Sequence, residues 1–272
     1  MAIRREALSP MPVEGPARVQ LFGVPVDALT MDETVEKVRR MVSEGGSYQH
    51  VCVNAAKLVE VERDPALADI IRSCDLVSAD GASVVWASRI LGQPLPERVA
   101  GIDLFERLVG AAAADGESVY FLGARQHVVE TVVDVFTTRH PTLRVAGSHD
   151  GYWSDDEEAA LVEEIRAARP TYLFLAIPSP RKERWLNTYR ERLGIPFVMG
   201  VGGSFDVVSG NVSRAPRVVQ RLGMEWAWRV GQEPRRMWRR YLFGNAAFLS
   251  MTARAFLRGS SPRRAGRFAT EL

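Results

Sequence analysis

The sequence has few of the residues that form disulfide frameworks and metal sites. Two cysteines, Cys52 and Cys74, occur in 272 residues, and both stand in apolar, strand-like surroundings. We expect them to be reduced and buried, as is typical of cytoplasmic proteins. The four histidines are scattered without metal-ligand spacing, and no D-x-D triad occurs. We therefore predict no divalent-metal site and no cofactor.

A hydrophobic run of bilayer length is also missing. The N-terminal "MAIRREALSPMPVEGPARVQ" has no apolar core of signal-peptide length, and residues 1–18 are predicted to be a loose leader. Near the C-terminus, the longest uncharged stretch is "YLFGNAAFLSMTA", with 13 residues. A spanning helix needs roughly 20 apolar residues, so we expect this stretch to lie on a bilayer rather than cross it.

Negative charge is scarce in the C-terminal part of the chain. Residues 212–272 hold 13 arginines and three glutamates, a net charge of +10, which leaves −8 for the first 211 residues. This asymmetry indicates an anionic partner, such as phosphate, nucleic acid or a membrane surface. Residues 214–241 combine eight of the arginines with three tryptophans. Because arginine binds phosphate and tryptophan favours membrane interfaces, the combination favours a lipid surface over a solvated helix with buried tryptophans.

Apolar runs alternate with amphipathic segments from about residue 19 to residue 210. The strand candidates are "VQLFGV", "YQHVCV", "DLVSA", "SVYFLG", "RVAGS", "TYLFLAI" and "PFVMGV". Helix starts are predicted at Thr30 and Ser154, each followed three residues later by glutamate. The alternation predicts an α/β fold with a mainly parallel sheet and helices on both faces. We predict a core over 19–211, a helical appendage over 212–258 and a basic tail over 259–272.

Ligands of such sheets bind where strands end and helices begin. "VSADGASVVW" places Asp80 at such a point, where its carboxylate can act as a general base or can simply cap the next helix. "FLGAR" places Gly123 at another strand end. In "GVGGSFDVVSG", Gly202 and Gly203 leave backbone amides free for an anion, although Phe205 replaces the last glycine of the dinucleotide fingerprint. A nucleotide site is plausible there, and a nicotinamide dehydrogenase is not favoured.

"IPSPRKERW" follows the most apolar strand and opens a helix. Its Ser179, Lys182 and Glu183 fit a sugar or nucleotide site, and they fit equally well a plain helix start with a solvated charged turn.

These motifs resemble the WecG/TagA/CpsF glycosyltransferases, family 26 of the sequence classification. The matching pieces follow the order and spacing of that family: "VNAAKLV", "SADGASVVW", "ERVAGIDLF", "VYFLGAR", "GSHDGYW", "SPRKERW", "GVGGSFDVVSG", "SRAP" and "EWAWRVGQEPRRMWRRY". The resemblance implies a Rossmann-like core and a helical appendage that meets the inner face of the cell membrane. It implies an inverting, metal-independent hexosyltransferase that moves a sugar from a uridine diphosphate (UDP) sugar to a polyprenyl-diphosphate-linked sugar, in cell-surface polysaccharide or teichoic-acid-type synthesis.

The resemblance also assigns roles to residues. Asp80 is the expected catalytic base. The expected donor-binding residues are Cys52, Asn54, Gly81, Gly123, Ser179, Lys182, Glu183, Gly202 and Gly203. The arginines expected to bind the acceptor or the diphosphate are Arg98, Arg229, Arg236 and Arg239. The family usually has threonine at the position of Cys52 and glutamine at that of Lys182, so N-acetylmannosamine-like and glucose-like donors both stay open.

Two other classes of protein fit parts of the sequence. A nucleotide- or nucleic-acid-binding protein would use the basic C-terminal segment to grip a phosphate backbone. A non-catalytic membrane scaffold would use the same segment, but it leaves Asp80 and the glycine-rich loops without a task. Self-association stays open, because no stretch of the sequence identifies an interface.

Overall fold

A computed structural model of the protein describes residues 18–221, 225–232 and 234–259. Side chains are described in these ranges except at positions 217, 221, 226, 229, 234–243 and 259. The predicted leader and the predicted basic tail lie almost entirely outside the described residues.

The strands of the described ranges form two sheets. They are β1 (Arg18–Leu21), β2 (Val24–Asp27), β3 (Tyr48–Val53), β4 (Leu76–Ala79), β5 (Ser118–Gly123), β6 (Arg144–His149), β7 (Tyr172–Ala176) and β8 (Phe197–Gly200). The larger sheet has the order β4-β3-β8-β7-β5-β6, and every neighbouring pair in it is parallel. The prediction of an α/β fold with a mainly parallel sheet is therefore confirmed.

Helices connect the strands and form the C-terminal part of the described chain. They are α1 (Met31–Glu44), α2 (Ala55–Arg63), α3 (Pro65–Arg72), α4 (Ala82–Ile90), α5 (Gly101–Asp115), α6 (Gln126–Arg139), α7 (Asp155–Ala168), α8 (Arg181–Leu193), α9 (Ser204–Val208), α10 (Arg217–Arg221), α11 (Glu225–Gln232) and α12 (Pro234–Gly259). The predicted capping box at Thr30 begins α1, and the predicted N-cap Ser154 begins α7.

The first strand prediction was wrong in one respect. "VQLFGV" contains the end of β1 and the start of β2, which pair as an antiparallel hairpin outside the main sheet. The chain reverses at Phe22 and Gly23, whose φ angles are 54° and 76°. This left-handed backbone breaks the extended run, which the apolar pattern alone did not reveal.

Apolar residues cover both faces of the larger sheet. On one face, Phe121 and Phe174 pack in the cluster that includes residues of α1, α5 and α6. On the other face, Val53 and Val77 pack with α2, α3 and α4, and Leu175 packs with α7 and α8. All five residues of β7 are buried, as expected of a central strand in a parallel sheet covered on both sides.

Helix α12 packs against the body of the protein. Its Phe248 and Met251 are buried in the same cluster as residues of α2 and α4, and the Phe248 ring centroid lies 5.4 Å from that of Phe22. Arg254 forms an ion pair of 3.5 Å with Glu62 at the end of α2. Within the ranges described above, no helix is long and apolar enough to cross a membrane.

Candidate active site

The carboxyl ends of β3 and β4 bring Asn54 and Asp80 close together. The two strands pair in parallel with Val53 opposite Ala79, so Asn54 and Asp80 are the next residue of each strand. The Asp80 amide donates a hydrogen bond of 2.8 Å to the carbonyl oxygen of Val53. Both predicted residues therefore lie at the edge of the sheet where α/β proteins bind ligands.

Asn54 is also the N-cap residue of α2. Its Oδ1 accepts a hydrogen bond of 3.0 Å from the Lys57 amide, so its Nδ2 is the group suited to donate to a ligand. Next to it, Gly81, and not Asp80, is the N-cap residue of α4. The φ angle of Gly81 is 134°, which glycine adopts readily and other residues rarely do. The N-cap position of α4 therefore has no side-chain cap hydrogen bond.

Cys52 and the start of α5 lie beside Asp80. A Cβ atom at Gly101 would lie 3.1 Å from Cys52 Sγ and 3.7 Å from Asp80 Oδ2, so glycine allows the first turn of α5 to approach the carboxylate. Burial and the charge of Asp80 raise the pKa of the Cys52 thiol to about 12. Cys52 is therefore a neutral thiol in the crevice and not a nucleophile.

His50 and Ser78 lie one step deeper along the same two strands. His50 Nε2 lies 3.0 Å from Ser78 Oγ and 3.9 Å from Cys52 Sγ. Burial lowers the pKa of His50 to about 3, so its ring is neutral at physiological pH. His50 and Ser78 are therefore buried polar side chains next to Cys52.

Two of the three lysines in the chain pack against one carboxylate, and of these Lys57 is buried and Lys182 is half-buried. Lys57 Nζ lies 2.5 Å from Glu183 Oε1, and Lys182 Nζ lies 3.7 Å from the same oxygen. Ser179 donates a hydrogen bond of 2.9 Å to Glu183 Oε2. The exposed fractions of the three charged side chains are 7% for Lys57, 13% for Lys182 and 2% for Glu183. We call these four residues the lysine–glutamate cluster.

The charges of the cluster shift one another's ionisation. Burial acts to raise the pKa of Glu183, but the ammonium groups of Lys57 and Lys182 outweigh it and hold that pKa below its ordinary value. Burial, together with the charge of Lys57, lowers the pKa of Lys182 to about 8. Glu183 is therefore ionised at neutral pH, and Lys182 loses its proton more easily than an exposed lysine does.

The glycine-rich loop after β8 lies directly on Lys182. A Cβ atom at Gly200 would lie 3.0 Å from Lys182 Cδ, and one at Gly202 would lie 3.2 Å from Lys182 Nζ. Gly202 also has a φ angle of 55°. At Gly203 a Cβ atom would meet no atom within 4 Å. Glycine at 200 and 202 thus allows close contact with the lysine, whereas the space beside 203 is open.

Gly123 lies farther away and has a packing role. A Cβ atom at this position would lie 2.5 Å from the carbonyl oxygen of Ala176 on the neighbouring strand β7, which a real side chain cannot tolerate. In the sheet, β5 is three strands from β3, or about 14 Å at the usual strand spacing. Contact of Gly123 with the donor stays a prediction, and the structure explains this glycine without a ligand.

Arg98 connects the crevice to the C-terminal helices. The neighbouring Val99 amide donates a hydrogen bond of 2.9 Å to the carbonyl of Ala79, which fixes this loop beside the end of β4. The Arg98 guanidinium forms an ion pair with Glu225, the first residue of α11. A second ion pair of 2.6 Å joins Arg214 to Asp103 in the first turn of α5. The C-terminal segment is thus held at the Arg98 loop and at the first turn of α5, both of which lie beside the end of β4.

The predicted arginines of this segment are described only in part. Arg229 lies in α11, and Arg236 and Arg239 lie in α12. Their side chains lie outside the described residues, so their contact with a diphosphate stays a prediction. Among the residues that are described, no group of three or more His, Cys, Asp and Glu side chains forms a candidate metal site.

Sequence reasoning missed four residues of this region: Lys57, His50, Gly101 and Glu225. Lys57 carries the clearest signal, because it stands on the apolar face of "AAKLVEV", where a lysine must find a buried partner. The other three had no such signal. Gly101 and Glu225 meet Asp80 and Arg98 only through the tertiary fold.

A second cleft lies between α7 and α8. It has a volume of about 370 Å³, and its lining includes Arg181, Arg184 and Tyr189. The Arg181 guanidinium carbon lies 4.9 Å from the ring centroid of Trp153. This cleft is separate from the surroundings of Asp80, and the sequence motifs do not point to it.

Comparison with known proteins identifies the family of this chain. The family model described as the glycosyl transferase WecG/TagA/CpsF family matches residues 19–262. A Bacillus spizizenii protein named N-acetylglucosaminyldiphosphoundecaprenol N-acetyl-beta-D-mannosaminyltransferase is 37% identical over 67% of this chain and 70% of its own length. A Staphylococcus aureus protein with the same name is 32% identical over 82% of this chain and 88% of its own length. The chain therefore belongs to the WecG/TagA/CpsF family of glycosyl transferases.

Proposed function

We propose that the protein transfers one hexose or N-acetylhexosamine from a UDP-sugar to a polyprenyl-diphosphate-linked N-acetylglucosamine, in cell-surface polysaccharide or teichoic-acid-type synthesis. One observation carries the proposal: the arginine-rich C-terminal segment is attached by Glu225 and Arg214 to the loops beside Asp80. A carboxylate at a strand end and cationic groups for a diphosphate are what this reaction requires. The relatives, whose names specify a diphospho-polyprenol acceptor, support the acceptor class.

In the proposed reaction, Asp80 accepts the proton of the acceptor hydroxyl as that oxygen attacks the anomeric carbon of the donor. The bond from this carbon to the diphosphate oxygen breaks, and UDP leaves with the bonding electron pair. Attack on the face opposite the diphosphate inverts the anomeric configuration. An aspartate suffices as base because the hydroxyl becomes acidic only as the new bond forms.

Charge develops on the leaving diphosphate and needs stabilisation. We propose that arginines supply it without a metal, because the sequence has no D-x-D triad and is rich in arginine at its C-terminal end. Arg98 supports this proposal, since its guanidinium already binds one carboxylate, that of Glu225. A diphosphate oxygen is a chemically equivalent partner for the same guanidinium.

We also propose that α12 lies on the inner face of the cell membrane. Leu249, Phe256 and Leu257 are exposed by 67%, 48% and 68%, although Phe248 and Met251 of the same helix are buried. Exposed arginines at 254 and 258 border these apolar side chains. An apolar strip edged by cations fits an anionic bilayer surface. Together with family membership, this surface favours sugar transfer over the nucleic-acid binding that the basic segment alone would also fit.

The proposal is tested by weighing the reaction products. Purified protein is incubated with a short-chain prenyl-diphosphate-linked N-acetylglucosamine and, separately, UDP-N-acetylmannosamine, UDP-N-acetylglucosamine and UDP-glucose, with and without a chelator. With one of the donors, we expect one sugar residue to be added to the acceptor and UDP to be released. The chelator should leave the rate of this reaction unchanged. The added sugar should have the anomeric configuration opposite to that of the donor. An unchanged acceptor with every donor, on vesicles as well as in detergent, would contradict the proposal.

A further inference from the structure

The lysine–glutamate cluster has more positive than negative charge among its own members. Lys57 and Lys182 both face Glu183, and Glu183 Oε1 is much closer to Lys57, at 2.5 Å, than to Lys182, at 3.7 Å. A buried ammonium at the longer distance receives less of the compensating charge and has lost most of its hydration. Such a group is costly unless another anion approaches it.

The position of Lys182 allows an anion to approach. Its Nζ lies against the loop at Gly202, and the space beside Gly203 is open. The positive charge of Lys182 and the negative charge of Asp80 both act on the Cys52 thiol, in opposite directions on its pKa. The ammonium of Lys182 therefore lies at the glycine-rich loop after β8 and acts on the same thiol as the proposed base.

Resting on the proposed function, we propose that Lys182, supported by Lys57, forms a cationic subsite that binds an anionic oxygen of the donor substrate. Two parts of a UDP-sugar can provide this oxygen. One is the diphosphate, which every proposed donor has; the other is a carboxylate on the transferred sugar, as in a hexuronate, which would extend the donor class beyond hexoses and N-acetylhexosamines. Either one balances the second ammonium of the cluster. The subsite makes Lys182 a residue that binds and selects the donor, in addition to the residues that act on the acceptor.

The scarcity of lysine gives a direct experiment. In protein labelled with ¹³C-lysine, only Lys37, Lys57 and Lys182 contribute side-chain NMR signals. Lys182→Met identifies the Lys182 signal by its loss, and Lys37, which pairs with Asp27 at 2.8 Å outside the cluster, is the internal control. Without ligand we expect the Lys182 signal to titrate with a midpoint near 8, among its charged or titratable neighbours Lys57, Glu183 and Cys52.

The titration is repeated with each of four ligands, which together distinguish the two sources of the anion. The ligands are uridine, UDP, UDP-glucose and UDP-glucuronate, each at a concentration that calorimetry shows to be saturating. If the diphosphate is bound, UDP but not uridine raises the Lys182 midpoint by about one pH unit or more. If a sugar carboxylate is bound, only UDP-glucuronate raises it, and Lys182→Met lowers affinity for UDP-glucuronate at least tenfold without weakening UDP-glucose.

Two further results would count against the idea in different ways. If ligands bind but none of them shifts the titration midpoint of Lys182, the subsite is overturned and the proposed function still stands. A protein that binds none of the four uridine compounds contradicts the UDP-sugar donor itself, and the subsite is lost with it.

Discussion

Replacing Asp80 with asparagine lowers the transfer rate, kcat, by roughly 10²–10⁴-fold, the usual contribution of a general base. Asparagine has nearly the same shape as aspartate, so the contacts at the end of β4 should survive. It cannot accept the proton of the acceptor hydroxyl, because an amide is not basic at neutral pH. The rate is measured at saturating donor and acceptor, so that a change in affinity does not contribute.

The matched control for this variant is Asp69→Asn. Asp69 is an exposed aspartate of α3 that pairs with Arg72 on the surface, and its replacement should leave kcat unchanged. Both variants should unfold at the same temperature as the unmodified protein to within a few degrees. Transfer by Asp80→Asn at more than a tenth of the normal rate would remove Asp80 from the role of base.

Replacing Glu183 with glutamine destabilises the protein by about 3–5 kcal/mol, the usual cost of removing one partner of a buried ion pair. The exchange removes one negative charge and leaves the ammonium groups of Lys57 and Lys182 buried without it. Urea unfolding followed by circular dichroism gives the free energy of unfolding. Glu36→Gln is the control, because Glu36 is 62% exposed and pairs with Arg39 at 3.5 Å on the surface, so its effect should stay within about 0.5 kcal/mol.

The same carboxylate makes stability depend on pH. Its pKa in the folded protein lies below the ordinary value of 4.5, so its ionisation stabilises the fold fully above pH 4.5. That contribution is lost as the pH falls through the lower, folded-state pKa. Unmodified protein should therefore lose part of its stability on acidification, whereas Glu183→Gln should lose less. Equal stability of Glu183→Gln and Glu36→Gln at neutral pH would show that the cluster does not depend on this charge.

The placement of Asn54 and Asp80 at neighbouring strand ends was predictable from the sequence because strand ends are local features. Asp80 and Asn54 each follow an apolar run and precede an amphipathic one, and the parallel pairing of β3 and β4 then brings them together. The sheet itself followed from the alternation of strands and helices. The N-cap residues of α1 and α7 were predictable for the same reason, since all their contacts lie within four residues.

Contacts between distant segments were not predictable in this way. Lys57 and Glu183 are 126 residues apart, and Arg98 and Glu225 are 127 residues apart. Nothing near either member of a pair specifies its partner. The packing of α12 on α2 through Phe248 and Met251 is another example. From the sequence alone, this uncharged segment was predicted to lie on a membrane surface. Its buried side instead completes the apolar cluster beneath α2, and its other side supplies the proposed membrane contact.

The account is tested most directly by the position of UDP in crystals of the protein grown with that nucleotide. We predict that the diphosphate lies at the carboxyl ends of β3 and β8, in the crevice that contains Asp80 and the loop at Gly202 and Gly203. The alternative position is the cleft between α7 and α8, where Arg181 and Arg184 also offer cations. A nucleotide bound in that cleft, with none beside Asp80, would contradict the proposed site and the chemistry assigned to it.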